Sequence, residues 1–269
     1  RVFLTFVIFL FISLFFLSFY GWETDYFNLT IKNKVKEFDR NLNLEFKKTN
    51  ILLDLKKLEL RVKVNDPKII LNNTSADLSK LNLSISIKHF LSGDFALRRG
   101  EIGLFKTNIK QFINLVNLVK PSPYLFFAKE IFKEGEIEGK LKVNFDNNGK
   151  IKDDYEITGS IINLHAKVLK KFNINETYLK FKLLSHDYIF SIIKGNINKI
   201  DLASSEFSIN RENKNLNVKG NLVSRANLKN IQKTLDLFKI NLLQDKIDKS
   251  EISFRLNSAL SFKLEKYIK

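Results

Sequence analysis

The chain changes its hydrophobic rhythm along its length, and each rhythm predicts a different element. From Val2 to Tyr20 there is no charged residue, and Phe, Leu and Ile dominate, interrupted only by Thr5, Ser13 and Ser18. As a helix rising ~1.5 Å per residue this run would reach roughly 28 Å, close to the ~30 Å of bilayer hydrocarbon. Val2, Phe6, Leu10, Leu14 and Leu17 would then meet lipid tails, while Tyr20 and Trp22 set amphipathic rings at headgroup level. The run exceeds the ~7–15 apolar residues of a secretory signal, and Ser18-Phe19-Tyr20 offers no small-residue cleavage step, so residues 1–22 are expected to be an uncleaved signal anchor. With Arg1 as the cytoplasmic flank, everything after Trp22 is expected outside the cytoplasm.

Beyond the anchor, Phe27, Ile31, Val35 and Phe38 recur at helical spacing. They predict a short amphipathic helix that either lies on the membrane surface or caps the first strands, and capping is preferred because one apolar stripe cannot do both. The period then falls to two. Leu42-Leu44-Phe46, Leu58-Leu60-Val62-Val64 and Leu81-Leu83-Ile85-Ile87 alternate with polar residues. So do Leu141-Val143-Phe145, Ile162-Leu164-Ala166-Val168, Leu179-Phe181-Leu183, Phe207-Ile209 and Ile252-Phe254-Leu256. Successive strand side chains point to opposite faces, so each run predicts a strand that is apolar on one face only.

Asp146-Asn147-Asn148-Gly149 and Arg211-Glu212-Asn213-Lys214-Asn215 are turn sequences between such runs, which predicts hairpins and an antiparallel meander. Helical spacing returns at Ile109, Phe112, Ile113, Val116 and Val119, with Pro121-Ser122-Pro123 as a stop, and at Leu228, Ile231, Leu235 and Phe238 after Asn227. Tyr124–Phe132 is a further helical candidate. The expected fold is mainly β with a few helices, and a soft boundary at Pro121 divides 23–120 from a continuing antiparallel sheet over 121–269.

Composition narrows the function more than the fold. Cysteine is absent, which removes disulfides, thiolate zinc sites and cysteine nucleophiles. Methionine is absent too, even at position 1, so the sequence is expected to be a fragment, or a chain numbered from after its true start. The formal charge of +16 is spread along a chain rich in Lys, Asn, Ile and Phe. A dispersed excess of this kind fits a solvated face or anionic headgroups better than nucleic acid. The single Trp and scattered aromatic residues offer no stacking platform for bases.

No catalytic constellation can be assembled. His89, His165 and His186 lie far apart and fit no metal-ligand spacing. Gly93, Gly100, Gly103, Gly135 and Gly139 match neither a phosphate loop nor a dinucleotide fingerprint. Asp153-Asp154 and Glu136-Ile137-Glu138 sit among lysines as ordinary strand surface. The sequons at Asn28, Asn72, Asn82 and Asn175 are expected by chance in so Asn-rich a chain. Neither an enzyme nor a cofactor is expected.

From Leu58 to Val119 the order of features is distinctive: an alternating strand to Asn65-Asp66-Pro67, then Ile69-Ile70-Leu71, Ala76-Asp77-Leu78, the strand from Leu81, Phe90-Leu91-Ser92-Gly93, Phe95, Gly100-Glu101-Ile102 and a helix from Asn108. Together with the anchor, this resembles the opening of the AsmA-like family, the AsmA, YhdP and TamB group of bacterial bridge-like lipid transfer proteins. The resemblance implies an inner-membrane protein, single-pass, with its body in the periplasm. It also implies a long sheet curled into a trough, a taco-like groove whose inner face carries phospholipid toward the outer membrane. Leu81, Leu83, Ile85, Ile87, Leu141, Val143, Phe145, Leu164, Ala166, Val168 and Phe181 are the candidate groove residues. Phospholipid acyl chains and the inner membrane are the expected partners, with outer-membrane or periplasmic proteins beside them. The alternative is a non-catalytic periplasmic scaffold, or an assembly factor for outer-membrane proteins, with a closed dry core.

Overall fold

In a computed structural model the described residues are all of 1–269 except 39, 73, 93–95, 120, 147–149, 213–214, 238, 240–250 and 264–269. The uncharged run folds into α1 (Val2–Phe19), none of whose side chains is buried. It is long and apolar enough to cross a membrane. Its end is sharply defined. The N–H groups of Tyr20 and Gly21 both donate to the Phe16 carbonyl, at 2.9 and 3.2 Å, and Gly21 takes φ +71°, the left-handed conformation that favours glycine at a helix stop.

The chain then passes through β1 (Trp22–Thr24), α2 (Asn28–Phe38), β2 (Leu42–Glu45), β3 (Thr49–Asp54), β4 (Glu59–Val64), β5 (Lys68–Leu71), β6 (Thr74–Ser86), α3 (Ile87–Leu91) and β7 (Leu97–Asn108). Next come α4 (Ile109–Val119), α5 (Pro123–Ile131), β8 (Phe132–Asn144), β9 (Glu156–Val168), β10 (Phe172–Leu184) and β11 (Asp187–Ile197). The chain closes with β12 (Ile200–Asp201), β13 (Ser205–Glu212), β14 (Asn215–Asn227), α6 (Leu228–Asp236) and β15 (Glu251–Lys263). The expected architecture is found: one large antiparallel sheet with accompanying helices. Its strand order is β1-β3-β4-β6-β7-β8-β9-β10-β11-β12-β14-β13, with β15 on β14, β13 also on β11, and β5 joining β2 to β6.

Two expectations need correction. Ile87 does not extend the strand from Leu81 but opens α3, because β6 ends at Ser86. Phe132 begins β8 rather than ending a helix. The chain divides into a unit of Arg1–Phe105 with Lys140–Tyr155 and a unit of Lys106–Gly139 with Glu156–Lys269. Pro121 therefore lies inside the second unit, between α4 and α5. Asn73, Gly93, Phe95, Asn147, Asn148, Gly149, Asn213, Lys214 and Phe238, named in the sequence reading, lie outside the described residues. The predicted hairpin around Asp146 closes through the bridge Phe145–Ile151, with the Asp146 N–H bonded to the Lys150 carbonyl at 2.9 Å.

In the first unit, register gathers the apolar positions onto one face. Ile51 pairs with Val62 and Val62 with Leu83, while Leu60 pairs with Ile85 and Val64 with Leu81. Period two alone would not put Leu78 and Leu81 on the same side. An extra residue in β6 does so, since Leu78 opposes Leu104 while Lys80 opposes Gly103. Phe27, just before α2, and Ile31 of α2, together with Leu44 of β2, close over this face and share a buried core with Val62, Val64, Leu78, Leu81 and Ile85. Capping is thus found for Phe27, Ile31 and Val35 of the predicted stripe, the side chain of Phe38 lying outside the described residues.

Candidate functional site

The second unit carries an apolar sheet face built by register across six strands, β9, β10, β11, β13, β14 and β15. Phe181 of β10 stands opposite Gly159 of β9 and Phe190 of β11, and Phe190 in turn opposes Phe207 of β13. Leu179 pairs with Ile192, Leu183 with Tyr188, Tyr188 with Ile209 and Ile209 with Val218. Phe207 opposes Gly220 and Leu222 opposes Leu256, so the same side continues through β14 to β15.

Two bulges keep the face in phase. Between β9 and β10 the register shifts at Asn163 and again at Glu176, residues with φ of +51° and +47°. The first shift brings Ile161 rather than Ile162 opposite Leu179, on the side of Leu164 and Ala166. The sequence reading, which continued the alternation through Ile162, missed this because a left-handed Asn leaves no mark on hydrophobic periodicity.

Burial distinguishes this face from that of the first unit. There Val62 is 1% exposed and Ile85 2%. On β10–β14, Leu179, Phe181, Leu183, Tyr188, Phe190, Ile192, Phe207, Ile209, Val218 and Leu222 are all half-buried, and none reaches the full burial of a covered core. Among the described residues, burial is reached at Ile161 and Ser205 and toward the two margins. Leu164 and Ala166 are buried on β9, against which α5 packs, and Ser224 and Ala226 are buried on β14, against which α6 packs. The N-cap of α6 is Asn227, whose side chain accepts from the Lys229 N–H at 2.9 Å, as its position before the helix predicted.

The opposite face of these strands is mostly polar, with Ile189 and Ile193 of β11 as apolar exceptions. Lys180, Lys182, Glu206, Lys219 and Arg225 are exposed there. Lys182 lies 3.6 Å from Glu156, and Ser160 donates to Glu138 at 2.8 Å. The sheet of the second unit is therefore amphipathic across its thickness.

The proposed groove residues divide accordingly. Leu81, Leu83 and Ile85 belong to the first unit's packed core or its edge, beneath side chains of the protein itself. Val143 and Phe145 flank Gly100 in the same unit, where a Cβ on Gly100 would stand 3.1 Å from Val143 Cγ2 and 3.8 Å from Leu83 Cδ2. Leu141 is half-buried on β8 and Ile87 half-buried at the start of α3. Val168 and Phe181 are half-buried on the second unit's face, which Leu164 and Ala166 border. Phe190, Tyr188 and Ile192 were missed, and Phe207 was placed on an alternating strand but not among the groove residues. In Tyr188-Ile-Phe-Ser-Ile-Ile193 both faces carry isoleucine, which hides the alternation, and only pairing with Phe207 reveals the side.

Charged chemistry sits elsewhere. Glu101 of β7 lies between Lys80, at 2.7 Å, and Lys140. Partial burial raises its carboxyl pKa, but hydrogen bonds and charge from Lys140 and Lys80 more than offset this and hold it below the ordinary value. His89, His165 and His186 lie on α3, on β9 and in the β10–β11 turn, and His89 Nε2 is 3.3 Å from Arg98 Nη2. Among the described residues no group of three His, Asp or Glu side chains is placed to hold a metal ion. Comparison with known protein families, with curated proteins and with solved structures gives no match.

Proposed function

We propose that the chain is a membrane-anchored, non-catalytic lipid-binding protein that takes phospholipid acyl chains onto the apolar face of its second unit. One observation carries this reading: ten large apolar side chains, in register over β10–β14, are left half-buried, while the comparable face of the first unit is covered by α2 and β2. A contiguous apolar face of this extent is costly in water and marks a surface with a partner. Covering what is still exposed contributes about 25 cal/mol per Å², non-directionally, as hydrocarbon requires.

The apolar α1 supports placement at a bilayer, and the order of features from Leu58 to Val119 supports a bridge-like carrier of the AsmA-like kind, with its body in the periplasm and phospholipid moving toward the outer membrane. Within this reading the lipid-contacting residues shift from Leu81, Leu83 and Ile85 to Phe181, Phe190, Phe207 and their register partners. Native mass spectrometry of the full chain released from detergent micelles tests it. Phospholipid adducts are expected on the wild type and lost in Phe190→Glu; a lipid-free wild type, or adducts unchanged in the variant, contradicts the reading and leaves a closed scaffold.

A further inference from the structure

The joint between α1 and the first unit has no linker. Gly21 is buried, the Asn50 side chain donates to the Tyr20 carbonyl at 3.4 Å, and Trp22 is already paired with Ile51 of β3. Thr49, fully buried, donates from its hydroxyl to the Thr24 carbonyl at 2.7 Å, and the Tyr26 N–H bonds the Thr24 hydroxyl at 3.1 Å. α2 then begins at Asn28, tied by its N–H to the Asp25 carbonyl at 2.9 Å. Every step from the helix end to α2 is thus fixed by hydrogen bonds within one unit.

Along this joint the large side chains that do not enter the core stay in the open. Tyr20 and Trp22 are each 69% exposed, Tyr26 72% and Leu29 70%. Phe27 and Ile31 point into the core, so α2 presents a second strip on its other side. Leu29 is followed on α2 by Lys32 and Lys36 at three and seven, close to a helical repeat, and Tyr26 stands in the turn just before the helix. α2 carries Lys32, Lys34 and Lys36 against the single acid Glu37. β1, of three residues, separates α1 from this strip by about 10 Å of strand.

We propose that the strip made by Tyr26 and Leu29 at the start of α2 is seated in the headgroup layer of an anionic membrane, so that α1 and α2 hold the first unit on the bilayer as a rigid post rather than a tether. The inference rests on α1 spanning that membrane. Aromatic and aliphatic side chains with flanking lysines match the chemistry of the interface, where an apolar body and a nearby cation are both accommodated. Continuity with the spanning helix supplies the occupant, since the strip follows it after a hydrogen-bonded joint. The sequence offered α2 only one apolar stripe; exposure shows that a shorter second one faces away from the core.

Trp22 is the only tryptophan, which makes the test spectroscopic. In a Trp22→Phe background, Leu29→Trp and Leu10→Trp both alter exposed positions and leave the core intact. Each full chain is reconstituted into phosphatidylcholine vesicles containing phosphatidylglycerol, and emission is quenched either by phospholipid brominated near the headgroup or by aqueous iodide. Leu29→Trp is expected to emit to the blue of free tryptophan, to be roughly halved by the brominated lipid and to be shielded from iodide. If it is open to iodide and untouched by brominated lipid while Leu10→Trp is quenched by deeply brominated lipid, the post is refuted and the anchor stands. If neither position meets brominated lipid, the anchor fails and the post falls with it.

Discussion

The ring of Phe181 lies against the backbone of Gly159, its register partner across β9 and β10: a Cβ on Gly159 would stand 2.5 Å from Phe181 Cζ. The ring reaches on toward Gly139 of the next strand, whose Cβ would come to 4.0 Å. A flat aromatic thus fills the space that two glycines leave on the apolar face, as cross-strand pairs of this kind do in other sheets. The Glu138 carbonyl is closer still, 2.4 Å from the same Cβ position. Gly159→Ala is therefore expected to lower stability by about 1–3 kcal/mol, read from thermal unfolding of the full chain. Adding Phe181→Leu should not restore it, because the backbone obstacle remains; full restoration would show that the ring alone sets the fit.

The two apolar faces should respond differently to truncation. Ile85, 2% exposed, sits in the first unit's core, and Ile85→Ala is expected to cost about 2–5 kcal/mol without a separate effect on lipid. Phe207→Ala removes a half-buried ring and should cost less, while lowering the phospholipid retained per protein. Denaturant unfolding paired with phosphate analysis of the purified chain separates the two; loss of lipid in both variants in proportion to stability would assign both faces to the fold.

A charge discriminates the faces of a single unit. Phe207→Glu places a carboxylate among Phe190, Phe181 and Ile209, where it is costly to desolvate against acyl chains. Lys219→Glu changes the exposed polar side, opposite Ser208. Lipid retention is expected to fall several-fold in the first and to stay within error in the second.

Glu101 sets an acid limit for the first unit. Its carboxyl pKa is lowered in the folded state by Lys140 and Lys80, so the stability it contributes is present above the ordinary glutamate pKa and is lost as pH falls through the depressed value. At neutral pH Glu101→Gln should cost about 0.5–1 kcal/mol, a modest figure because both lysines are partly exposed. The gap from wild type should close under acid conditions. A gap that persists at low pH would mean that the loss arises from packing rather than charge.

Much of this fold was legible in the chain. The uncharged run gave α1, the spacing of Phe27 and Ile31 gave a capping helix, and alternation from Leu179 to Leu183 gave a strand with one oily side. What stayed hidden is set by pairing rather than by pattern. A bulge at Asn163 exchanges Ile161 for Ile162, an extra residue in β6 brings Leu78 beside Leu81, and isoleucines on both faces of β11 mask Phe190. Nor could alternation say which oily face is covered. Leu81 and Phe181 look alike in sequence, and only the closure of α2 over one of them tells core from candidate lipid surface.

The account is tested most directly at two neighbouring residues of β13. A photoreactive benzoylphenylalanine is placed at Phe207, on the half-buried apolar side, or at Ser208, on the opposite side, and the full chain is irradiated in membranes containing labelled phospholipid. The account predicts a lipid adduct at position 207 and little or none at 208. Equal labelling at both positions, or none at 207, would contradict it.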